Sequence, residues 1–283
     1  MRTTLMVIFA LILSVTNSES STNLHFTTQN TPVLLVIEPR GAGSGIYIKN
    51  DTGVYLVTAK HVLYDDKGML KGDNVILISY DGNEVKKRIE FRVDLKVANK
   101  ESNVFYHPSK DIAVIRTVRF SKKDKTNEMV SHLASGVTEK AEKGASVTIS
   151  TTKDTKSFKD VKPSNDVYLL GYPTSLSLDI EDILDPTSPL LRKGIVAGKN
   201  EKNHTIIIDC PVFQGNSGGP VFELEDDNAG TRHTKLIGIV SKFVPLVEKW
   251  KSSLYEYENI NLSNSGYAVV VPLDDIQTFL SGK

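Results

Sequence analysis

Gly215-Asn216-Ser217-Gly218-Gly219-Pro220-Val221-Phe222 sets one serine in a glycine-rich turn and follows it with a proline and an apolar pair. Glycines adopt backbone conformations closed to other residues, so such a turn can aim several N–H groups at one point. A serine there becomes a nucleophile only if a base takes its proton and those N–H groups hold the oxyanion that forms. The same string satisfies G-x-S-x-G, the nucleophile elbow, in which a strand turns sharply into a helix and an acid and then a histidine follow. Here Pro220 and the β-branched Val221 read as the start of a second strand. The only histidine after Ser217 is His233, and it precedes Asp274 and Asp275, so the elbow's order fails. The turn joins two strands, and its partners must lie upstream.

Two upstream strings offer them. Val57-Thr58-Ala59-Lys60-His61-Val62-Leu63 ends an apolar run on a histidine, and Asp111-Ile112-Ala113-Val114-Ile115 begins another on an aspartate. The chain order His61, Asp111, Ser217 is one of three known for the same triad geometry. Alone, His61 would read as a buried structural histidine and Asp111 as a strand-start residue; their meaning comes from standing together.

These strings together resemble the trypsin-like serine proteases. Thr58-Ala59-Lys60-His61-Val62 matches the family's pattern around its histidine, Asp111-Ile112-Ala113-Val114 its aspartate pattern and Gly215–Pro220 its serine motif. Leu236-Ile237-Gly238-Ile239-Val240-Ser241 looks like the strand that walls the substrate cleft. The likeness runs from Pro32 to Leu280 and is nearest the Deg, or high-temperature-requirement, branch. With the terminal helix reaching almost to Lys283, that branch's peptide-binding PDZ module is not expected.

The resemblance implies an all-β fold of two six-stranded antiparallel β-barrels with a C-terminal helix. Residues 24–120 would form the first barrel, 121–145 a linker and 146–283 the second barrel. Short apolar runs with turn residues between them fit many strands. The polar, lysine-rich linker includes a stretch at 128–143 that predicts a short helix, and Pro272 before Leu273-Asp274-Asp275-Ile276 predicts the terminal one. The catalytic residues implied are His61, Asp111 and Ser217, with the N–H groups of Gly215 and Ser217 as oxyanion hole. Pro211, Gln214, Ser241, Lys242 and Phe243 would line the substrate site. Pro211 lies six positions before the serine, where members selective for basic residues carry an aspartate, so cleavage after Lys or Arg is not expected. Phe243 stands where open-pocket relatives have glycine and is expected to narrow the pocket toward small or medium apolar residues, with core filling as its alternative role. Asn216 replaces the aspartate that binds a freshly cut N-terminus in digestive relatives, which implies no zymogen of that type.

Composition sets the remaining bounds. The formal charge is zero, from 34 basic and 34 acidic residues, and offers no field for nucleic acid or an anionic membrane. Arg2 and the apolar run at 5–15, followed by small polar residues, read as a signal peptide over residues 1–20 cut near Ser18–Ser20. The run is shorter than the roughly 20 residues a spanning helix needs, so no stable span is expected after removal. The expected product is secreted or periplasmic and acts on proteins or peptides. Cys210 is the only cysteine, which rules out an internal disulfide, and its apolar setting suits a buried, unreactive thiol. The histidines show no metal-ligand spacing, and the triad needs neither metal nor cofactor. The alternative function is a protease-like binding or chaperone module with an inactive or blocked triad.

Overall fold

Residues 26–81, 87–122, 129–141, 147–150, 155–173, 185–226 and 232–282 are described by the computed structural model; the expected signal peptide lies outside them. A four-residue helix, α1 (Phe26–Gln29), leads into β1 (Pro32–Glu38), β2 (Ala42–Asn50) and β3 (Gly53–Thr58). Helix α2 (Lys60–Leu63), β4 (Asn74–Tyr80), β5 (Arg88–Asp94), α3 (Leu95–Lys100), β6 (Val104–Tyr106) and β7 (Ala113–Lys122) follow. β8 (Met129–Leu133), β9 (Val137–Ala141) and β10 (Ile149–Ser150) complete the first unit. Its strands run β6-β7-β3-β2-β1-β4-β5-β9, with β8 on β7 and β10 on β2.

Sequence pattern explains the strands. In β5, Ile89, Phe91 and Val93 are buried while Arg88 and Arg92 are exposed, the period-two alternation of a strand with one wet face. β3 is buried along its whole length, because a core covers each of its faces, and its Val54-Tyr55-Leu56-Val57 run is continuously apolar.

The second unit holds β11 (Asp166–Gly171), β12 (Leu190–Asn200), β13 (Thr205–Asp209), β14 (Pro220–Asp226), β15 (Arg232–Lys251) and β16 (Glu258–Pro272). They close as a barrel in the order β11-β12-β13-β16-β15-β14. The terminal helix α4 (Leu273–Ser281) follows, with Asp274 and Asp275 in its first turn, where negative charge suits the helix dipole.

Three large apolar clusters, and a small one of Leu34, Ile78 and Tyr172, hold the molecule together. One fills the first unit around Leu35, Leu56, Leu77 and Val93, and another fills the barrel around Leu169, Val196, Ile208 and Val270. The third joins Ile46, Tyr55, Val57 and Val114 of the first unit to Phe222 and Ile239 of the second. Leu273, Ile276 and Leu280 of α4 enter that third cluster on one helix face. Full burial of one such side chain is worth about 1.5–3 kcal/mol, so the joint is a stable one. It fixes the two units that face each other across the site.

The all-β expectation with a terminal helix holds, with two corrections. The second unit closes on six strands, whereas the first is a larger curled sheet of ten. The short helix expected at 128–143 is absent from the described part of that stretch, which forms β8 and β9, paired to β7 and β5. Gly136 turns between them at φ +87° with its backbone close against Asp94 and Ala98, and Val137 and Thr138 favour extended chain. The span expected to link the barrels therefore belongs in part to the first sheet.

Past the barrel, β15 and β16 continue as a two-stranded ribbon from the Pro245–Asn264 pair to Lys251–Glu258. Trp250 is 63% exposed there, and Leu254 at its tip 82%. Among the described residues, no helix is long and apolar enough to cross a membrane.

Candidate active site

His61, Asp111 and Ser217 come from three separate elements. His61 sits in α2, directly after β3, and buried Val62 and Leu63 anchor the other side of that turn. Asp111 ends a tight loop just before β7. In that loop the His107 ring accepts the N–H groups of Ser109 and Lys110, and buried Ile112 pins the strand entry. Ser217 lies in the turn before β14.

The joint between the units brings the three together. His61 Nδ1 is 2.9 Å from Asp111 Oδ2, and His61 Nε2 is 2.9 Å from Ser217 Oγ. The His61 backbone N–H also donates to Asp111 Oδ1 at 3.1 Å, so one carboxylate grips both ring and backbone. A carboxylate can only accept, so Nδ1 carries the proton of the neutral ring and Nε2 presents its lone pair to the serine. His61 is exposed and reachable, whereas the Asp111 side chain is 26% exposed.

Burial pushes the Asp111 carboxyl up, but the His61 ring, the Ser241 hydroxyl and the His61 N–H outweigh it and hold the pKa below its usual value. A depressed folded value means that this ion stabilises the fold above the ordinary carboxylate pKa near 4 and loses that effect as pH falls through the lowered value. We expect wild type to exceed Asp111→Asn in unfolding free energy at pH 7, with the gap closing below about pH 4. Denaturant titrations at both pH values measure it. A gap that widens in acid would contradict the assignment.

The serine turn is built against the first unit. Gly218 has φ +84°, and a Cβ there would stand 2.1 Å from the Ser44 carbonyl oxygen and 2.3 Å from Thr58 Oγ1. Only glycine fits this contact. Gly218→Ala is expected to destabilise by about 2–5 kcal/mol, from left-handed backbone strain plus overpacking, read by denaturant unfolding.

Ser44 on β2 holds the turn on its other side. Its hydroxyl donates to the Gly215 carbonyl at 2.6 Å and accepts the Tyr172 N–H, while its own N–H donates to the Ser217 carbonyl at 2.9 Å. Within the turn, Asn216 Oδ1 accepts the Phe213 N–H, and the Asn216 N–H donates back to the Phe213 carbonyl. Asn216, read from sequence only as lacking a charge, closes this loop upon itself. Ser44 carried no sequence signal, because its role exists only once β2 meets the turn.

Ser241 makes contacts beyond the substrate-lining role expected of it. The β15–β16 register shifts between Val240 and Lys242, so Ser241 is the extra residue of a bulge, a device that re-aims side chains. Its hydroxyl donates to Asp111 Oδ2 at 2.6 Å, and its carbonyl lies 3.2 Å from Ser217 Oγ. Its side chain is thus a third holder of the aspartate, while its backbone stays beside Ser217. Pro211, Gln214 and Lys242 are exposed, and Phe243 is 40% exposed, which excludes full core filling for that ring. Cys210 is fully buried, and burial pushes its thiol up to about 11, so it stays protonated and unreactive near neutral pH. Among the described residues, no cluster of three or more His, Cys, Asp or Glu side chains is placed to hold a metal.

A family model described as the trypsin-like peptidase domain matches residues 43–229, a span that contains all three residues. A search of curated proteins finds no match. Among solved structures, Deg5 is 16% identical with TM-score 0.48, and the match covers 89% of this chain and 88% of that one. The serine endoprotease of Yersinia pestis is 16% identical with TM-score 0.45, covering 91% of this chain and 65% of its own. A scabies mite inactivated protease paralogue, SMIPP-S-D1, is 14% identical with TM-score 0.49, covering 91% and 95%.

Proposed function

The chain belongs to the trypsin-like peptidase family, and from that premise we propose that it is an active, secreted serine endopeptidase working through an acyl-enzyme on Ser217. The observation that carries this reading is the unbroken relay from Asp111 to His61 to Ser217, with 2.9 Å at both ring nitrogens. In the apo state these are distances at which proton transfer needs no rearrangement.

His61 Nε2 takes the Ser217 proton as Oγ attacks the scissile carbonyl, and the imidazolium is stabilised by Asp111. The same proton then goes to the leaving amine, and water repeats the sequence to free the acid. The developing oxyanion is held by the N–H groups of Gly215 and Ser217. Availability of the Ser217 N–H is supported by the turn's own bonds: the Asn216 carbonyl accepts the Gly219 N–H, so the trans peptide points the Ser217 N–H the other way. Loss of one such donor costs about 3 kcal/mol in the transition state. Pro211, Gln214, Lys242 and Phe243, with the Ser241 backbone, would line the substrate channel. Secretion is supported by the apolar N-terminal run at residues 5–15.

Stopped-flow hydrolysis of a chromogenic ester tests the acyl-enzyme. A burst of product stoichiometric with enzyme, followed by slower turnover, is the expected result. Linear release without a burst, or no release from well-folded protein, would move the reading to a blocked binding module.

A further inference from the structure

The hairpin between β6 and β7 carries Asp111, and one histidine holds it closed. His107 and Ile112 are its end residues, and the His107 N–H donates to the Ile112 carbonyl at 2.9 Å. Across the loop, His107 Nδ1 accepts the Ser109 N–H at 3.1 Å and the Lys110 N–H at 2.9 Å. The Lys110 carbonyl accepts the Ile112 N–H at 2.9 Å, which makes Asp111 the middle residue of a three-residue turn. Both peptides that flank Asp111 are locked in this turn, and the turn hangs from the His107 ring.

The ring itself is held by α4. Phe279 packs edge-on against it with ring centres 4.9 Å apart, and also meets Phe105 of β6 at 5.5 Å. Because Nδ1 accepts two N–H groups, the proton of the neutral ring lies on Nε2. A protonated imidazole has N–H at both nitrogens and no acceptor, so protonation would set one donor against two others. Partial burial lowers the His107 pKa, Asp275 on α4 raises it and Lys110 lowers it, and the balance lies below the usual value. Asp275 is already shared by Lys110 Nζ and His204 Nδ1, each at 3.1 Å. The ring is therefore neutral near pH 7 and becomes a cation only in acid. The 2.9 Å bond from His61 Nδ1 to Asp111 Oδ2 depends on where this hairpin places the carboxylate. A misplacement of about 1 Å among reacting groups can cost on the order of a hundredfold in rate.

We propose that His107 is a positioning residue for Asp111: the neutral ring holds the hairpin so that the carboxylate meets His61, and protonation of the ring opens the hairpin and disables the triad. This rests on Asp111 orienting His61, and it adds a second proton to the control of the enzyme, on a ring outside the triad.

Two variants test it. His107→Phe keeps a ring against Phe279 but supplies no acceptor. His107→Asn supplies a side-chain oxygen that can accept the N–H two residues on, as in an Asx-turn, and does not titrate. With a chromogenic peptide near neutral pH, His107→Phe should lower kcat about thirtyfold, the equivalent of two lost hydrogen bonds, with KM near wild type. His107→Asn should keep kcat within about threefold of wild type. Below about pH 6, log kcat of wild type should fall with a slope steeper than one, as His61 and His107 both take protons, whereas His107→Asn should keep a slope of one. Should His107→Phe fail to fold by circular dichroism, the two acid limbs decide alone. His107→Phe with wild-type kcat, His107→Asn as slow as His107→Phe, or one common acid limb would overturn the proposal. A fluorophosphonate monitors Ser217 separately, and wild type that takes no label overturns the triad reading and this one with it.

Discussion

Ser217→Ala is expected to lower kcat about a millionfold while leaving the fold and substrate affinity near wild type. Deleting Oγ removes the atom that forms the acyl bond, and nothing nearby replaces it. Cys210, seven positions earlier, is fully buried and protonated. A residual rate about 10³–10⁴ above water should persist, because the turn's N–H groups and the substrate channel remain. The hydroxyl's two contacts, to His61 and to the Ser241 carbonyl, are the only local bonds lost, so the turn itself should survive. Peptide hydrolysis with enzyme in large excess over any contaminating protease measures this. A loss of less than about a hundredfold would mean that Ser217 is not the nucleophile.

Asp111→Asn is expected to reduce kcat about ten-thousandfold at neutral pH. The aspartate accepts from the His61 ring, the His61 N–H and the Ser241 hydroxyl. An amide of the same shape donates through its NH₂ group as well as accepting. Where that NH₂ meets Nδ1 it favours the tautomer with the proton on Nε2, the nitrogen that must receive the serine proton. The lost negative charge also removes the partner of the imidazolium. KM should change little, because Asp111 touches no substrate, so the effect falls on kcat. Circular dichroism at pH 7 should remain that of wild type. A decrease within about tenfold would assign Asp111 a structural role only.

Much of this site was legible because its residues sit in short strings where backbone and chemistry make joint demands. Gly218 must be glycine to approach Ser44 and Thr58, and the serine must follow a turn that presents N–H groups. Those local needs leave a readable string. β13 at Thr205–Asp209 was likewise legible, since Ile206 and Ile208 turn into the barrel core with few alternatives.

What was not legible depends on distant contacts. β8 and β9 are edge strands whose outer side chains are mostly exposed, so their composition reads as loop or helix until β7 and β5 offer partners. The ribbon beyond Val244 has no core to impose alternation. Ser44 means nothing until β2 meets the serine turn, and the bond from the Ser241 hydroxyl to Asp111 exists only because a bulge re-aims that side chain. Cross-strand and loop contacts of this kind carry no fixed spacing along the chain.

In the proposed function, His61 and Asp111 make Ser217 a nucleophile in the protein as it stands. Incubation of the native chain with a fluorophosphonate, followed by intact mass and peptide mapping, tests it in one step. A single adduct on Ser217 is expected, absent in Ser217→Ala and much slower to form in Asp111→Asn. Folded protein that remains unmodified, or an adduct on any other residue, would contradict it.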